Sequence, residues 1–110
     1  MSGGGPVSSP DEPLHTLPVK DAQAAYDKAK KAHDAAPKDA KAAKDYIEAT
    51  NTLADSTMMG DGPPNVKYPG ALKLYREVLK TDATNSHAQK EIKLMEDIYA
   101  SLGKPVPGGK

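Results

Sequence analysis

Along most of this chain the apolar positions recur with a helical period, and prolines divide that pattern into blocks. Between residues 19 and 36, Ala22, Ala25, Tyr26, Ala29, Ala32, His33 and Ala36 return at steps of three and four with Lys, Asp and Gln between them. This predicts an amphipathic helix with a narrow, mostly alanine face, ended by Pro37. Pro37-Lys38-Asp39 then suits a helix start. The next stripe is Ala43, Tyr46, Ile47, Thr50, Leu53, Ala54 and Met58, stopping near Met59 at the breakers Gly60-Asp61-Gly62-Pro63-Pro64-Asn65. Of Met58 and Met59, both are assigned to the core. A third helix opens at Tyr68-Pro69 and carries Ala71, Leu72, Leu74, Tyr75, Val78 and Leu79. The cap-type residues of Thr81-Asp82-Ala83-Thr84-Asn85 separate it from a fourth helix. That helix has Ala88, Ile92, Met95, Tyr99 and Leu102 on one face, with Leu94 and Ile98 beside it. Gly103 supplies a left-handed C-terminal residue and Pro105 blocks continuation. The expectation is four helices and no strands.

Outside these blocks, residues 1–18 (MSGGGPVSSPDEPLHTLP) read as a flexible tail, or as a tether if an export signal once preceded them. Residues 19–103 form the helical domain, residues 104–110 a short tail, and residues 60–67 a connecting loop.

Composition qualifies this picture. Of the 110 residues 16 are Ala, and Leu, Ile and Val together number only 16, below the roughly 20% level associated with disorder. The net charge is zero, unlike the charge-rich composition of disordered chains. The alanines therefore read as close helix contacts in a thin core. Balanced charge, with 14 Lys and one Arg, argues against nucleic acid as a partner. No apolar run reaches the roughly 18 residues of a membrane span. The absence of Cys excludes thiol catalysis and Cys-ligated zinc but leaves the compartment unknown.

Candidate chemistry is sparse. His15, His33 and His87 show no i, i+4 pair and no Glu-x-x-His, so no metal or other cofactor is expected. His33 is expected to pack partly buried, and His87 to sit exposed in the first turn of its helix. Most carboxylates alternate with Lys at helical spacing, such as Asp27 with Lys31, Asp45 with Lys41 and Lys44, and Glu77 with Lys73 and Lys80. These read as solvated surface pairs. With no sign of a carboxylate in an apolar pocket, the chain is not expected to be an enzyme. Neither Gly-rich segment has the strand or the ending of a phosphate loop.

The most informative spacing is Tyr68-x2-Ala71-x3-Tyr75-x2-Val78-x3-Asp82-x2-Asn85. It resembles the second helix and following turn of a tetratricopeptide repeat. Ala25, Ala29, Ala32 and Pro37 form a weaker copy 46 residues earlier, matching Ala71, Tyr75, Val78 and Ala83. The chain lacks the family's first-helix Trp and Gly, and Ala83 stands where the turn proline is expected. The resemblance implies an all-α array of about four helices in antiparallel helix–turn–helix pairs with a right-handed sense. An antiparallel four-helix bundle is the alternative. It further implies a protein-interaction module whose concave face holds a peptide or partner protein. Its groove positions would be Lys41, Lys44, Glu48 and Asn51 on the second helix and His87, Lys90, Leu94 and Asp97 on the fourth. Lys44 and Lys90 share a repeat position and would attract a carboxylate-bearing ligand. The competing reading is a structural spacer that self-associates or belongs to a longer solenoid.

Overall fold

The computed structural model describes residues 16–107. The expected N-terminal tail up to residue 15, His15 included, lies outside them, as do residues 108–110. Four helices follow one another: α1 Val19–Ala35, α2 Ala40–Met58, α3 Pro64–Thr81 and α4 Ser86–Ser101. No strand occurs among the described residues. The fold is all-α, with antiparallel neighbours.

Local chemistry sets most helix ends. Asp39 caps α2 by accepting from the Lys41 N–H, and Asn85 caps α4 by accepting from the Ala88 N–H, each satisfying a donor that the first turn leaves free. At the end of α4, Gly103 has φ 68°. Its N–H reaches the Ala100 carbonyl and the Lys104 N–H reaches that of Tyr99, the paired bonds of a Schellman motif.

The start of α3 differs from expectation. It begins at Pro64, four residues before Tyr68, and contains Pro69. Pro64 needs no amide hydrogen at the first helical position and has a suitable φ. Pro69 lies little more than one turn in, so the helix loses only the bond that would run to Asn65. The connecting loop is therefore shorter than residues 60–67.

The core lies among α2, α3 and α4: Ala54, Met58, Ala71, Leu72, Tyr75, Val78, Ala88 and Met95 are buried, with Ile47, Tyr68, Leu74, Leu79 and Ile92 packed around them. Each helix packs closely on its neighbours in sequence, α1 on α2, α2 on α3 and α3 on α4. Helix α3 is thus flanked on two sides and buries a wide face. Helix α1 has close packing from α2 alone, and its inward row is Ala22, Tyr26, Ala29 and His33. Ala25 and Ala32, expected on that face, are exposed. Two further assignments change. Met58 is buried but Met59 is 63% exposed, and Leu102 is 61% exposed.

The segment after α4 is not a free tail over its described part. Val106 packs on the core, and the Pro107 carbonyl accepts from Arg76 Nη1 at 2.7 Å. At the other end the Leu17 N–H donates to Ser56 Oγ at 2.9 Å.

The 46-residue offset reappears as backbone geometry. Ala36 (φ −139°) and Asp82 (φ −138°) end α1 and α3. The Asp39 N–H reaches the Ala36 carbonyl as the Asn85 N–H reaches that of Asp82. The two helix–turn–helix junctions are near copies. The burial of the preceding helices is not copied, because a flanking helix covers Ala71 and Val78 but not Ala25 and Ala32.

Candidate functional site

The groove candidates lie on α2 and α4, the two helices that α3 separates in sequence. Lys41, Lys44 and Glu48 are exposed on α2, and Lys90, Leu94 and Asp97 on α4, Leu94 at 47%. Lys41 is bridged to Asp45 at 2.9 Å, a hydrogen bond that holds its ammonium above the ordinary lysine value. Asp97 pairs with Lys93 at 3.5 Å. Asn51 and His87 are half-buried and mark where α2 meets α4.

The contact between these helices is polar. Asn51 Nδ2 donates to Asn85 Oδ1 at 3.3 Å, the oxygen that also caps α4. One turn further along α2, Asp55 is 2% exposed. His87 Nε2 donates to its two oxygens at 2.8 and 3.0 Å, and the Tyr75 hydroxyl donates to Oδ1. The His87 ring meets Tyr75 edge-on at 5.9 Å. One carboxylate thereby ties α2, α3 and α4 together. From its place in the first turn of α4, His87 is expected in solvent. Its side chain is instead only 15% exposed, because the first turn of α4 points it at a buried anion.

These contacts set the electrostatics. The hydrogen bond to Asp55 draws His87 above its ordinary value, aided by the charges of Asp55 and Glu91 and opposed by burial and Lys90. Burial, then the Asp55 charge, holds the Tyr75 hydroxyl firmly protonated. Glu91, 3% exposed with Oε1 unpartnered, is raised first by desolvation. Asp55 and Glu91 are buried carboxylates, which the spacing of charges along the sequence does not predict. A signal existed: residues 45–66 contain no Lys or Arg, so Asp55 has no helical cation to pair with in solvent. Glu91 likewise has Leu94 and Met95 one turn on.

Glu77, expected to pair with Lys73 and Lys80, instead accepts the hydroxyls of Tyr26, at 2.5 Å, and Tyr46. Burial and that bond keep both tyrosines protonated. His33 is half-buried and stacks on Tyr46 at 5.0 Å, as its packing role predicts. Asp27 takes Gln23 rather than Lys31, while the Lys41–Asp45 pair forms as read. Among the described residues no three His, Asp or Glu side chains are placed to hold a metal ion, and no helix is long and apolar enough to cross a membrane.

The groove lysines do not stand side by side. Lys44 lies seven residues before Asn51, and Lys90 five after Asn85. With α2 and α4 parallel, the stagger along the axes is about 18 Å at 1.5 Å per residue. Comparison with protein-family models, with curated proteins and with solved structures returns no match for this chain.

Proposed function

We propose that this chain is a non-catalytic protein-interaction module, arranged like a short tetratricopeptide array, that holds an extended peptide of a partner protein along α2 and α4. The carrying observation is that α2 and α4 are tied by polar side chains rather than closely packed, leaving Lys44, Glu48, Lys90 and Leu94 exposed along one staggered face. The matched turns at Ala36–Asp39 and Asp82–Asn85 support the repeat reading. An extended peptide advances about 3.3 Å per residue, so acidic side chains about five or six residues apart match the Lys44–Lys90 stagger.

A second reading, self-association as a spacer, is favoured by one observation. Leu17, Val19, Met59, Val66 and Leu102 are all more than 40% exposed and lie at the end where α1 and α3 begin and α2 and α4 finish. One experiment separates the two. Amide shifts are followed during titration with peptides carrying two acidic residues at that spacing. Saturable shifts at Lys44, Lys90 and Leu94, lost in a Lys44→Gln, Lys90→Gln variant, are expected. Shifts that depend only on protein concentration and cluster at Met59, Val66 and Leu102 would replace the peptide reading with self-association.

A further inference from the structure

A cleft of about 690 Å³ is lined by residues of α1, α2, α3 and the segment after α4. Its size falls within the range of small-molecule sites, roughly 300–1,000 Å³. Four cationic side chains line it: Lys73, Arg76 and Lys80 at helical spacing on α3, and Lys30 from α1. Among the described residues the one carboxylate in the lining is Glu77, whose Oε2 already accepts two tyrosine hydroxyls. In a chain of zero net charge, this concentrates positive potential in one concave place.

We propose that this cleft binds a small organic phosphate. Planar carboxylates are best held by a free arginine fork, but Arg76 Nη1 is committed to the Pro107 carbonyl at 2.7 Å. The remaining cations are lysines, compact point charges suited to a multiply charged phosphate group. Lys30 is shared with Asp34 at 3.2 Å, so Lys73 and Lys80, both exposed and in no ion pair among the described residues, carry most of the attraction. Pro69, Pro107 and the Tyr46 ring supply apolar walls, and the volume exceeds what a bare phosphate fills. An aromatic or aliphatic portion therefore accompanies the phosphate.

The test is an amide-shift titration of the full chain with phenyl phosphate, inorganic phosphate and benzoate. Phenyl phosphate is expected to bind saturably and tightest of the three, with shifts at Tyr46 and along residues 69–80. Lys73→Gln with Lys80→Gln should weaken it about tenfold or more, whereas Glu77→Gln, which keeps an acceptor for the tyrosines, should tighten it. Circular dichroism confirms that each variant is folded. Absence of saturation, benzoate binding as well as phenyl phosphate, inorganic phosphate binding as well as phenyl phosphate, or indifference to the lysine pair would each overturn the proposal.

Discussion

His87 binds its proton more tightly in the folded chain than in an unfolded one, because the hydrogen bond to Asp55 favours the imidazolium. The stabilisation this gives is complete below the ordinary histidine value of about 6.5 and is lost as pH rises through the raised folded value. Glu91 acts in the same sense. Its burial favours the neutral acid, so folding is helped below the ordinary carboxylate range and hindered as that group ionises. The melting temperature should therefore fall on raising the pH from about 6 to 9, by about 4–8 °C for each kcal/mol lost. His87→Asn should flatten that part of the profile. A melting temperature that rises over this interval in the parent chain would contradict the Asp55–His87 account. This tie was hidden in the sequence because Asp55 and His87 stand 32 residues apart, and only the packing of α2 against α4 shows that they meet.

Among the helices, several ends are legible in the sequence because the residues that set them act locally. Asp39, Asn85 and Gly103 each act within a few residues of themselves, so type and spacing sufficed to place two caps and one terminus. Gly103 gives the sharpest check. A Cβ there meets nothing within 4 Å, so Gly103→Ala carries only the backbone cost of the left-handed conformation, about 1–2 kcal/mol. Urea denaturation of that variant should show a loss of this size with the helices intact. The start of helix α3 is not legible in the same way, because Pro63-Pro64 reads as a breaker although a proline at the first helical turn is favourable. Ala25 and Ala32 depart from expectation for the opposite reason. Their periodicity is helical, but whether a face is covered depends on how many neighbours the helix has.

Packing between sequence neighbours makes stability uneven across the molecule. Helix α3 holds Ala71, Leu72, Tyr75 and Val78 in the core cluster, whereas Ala22 is the one buried residue of α1. Native-state hydrogen exchange should accordingly find the slowest amides in α3 and much faster exchange in α1. Equal protection in both helices would contradict this uneven distribution of stability. The proposed groove and the cleft share this dependence unequally, since Lys30 belongs to α1 while Lys44 and Lys90 do not. The light burial of α1, packed closely on α2 and joined to α3 by the Tyr26–Glu77 bond, also bears on how the chain melts. The Tyr26 and Tyr46 hydroxyls and the His33 ring report on the α1 contact, and Tyr75 on the α2–α4 centre. Thermal transitions recorded at those two places should separate, with α1 detaching first, and the calorimetric enthalpy should exceed the van't Hoff value.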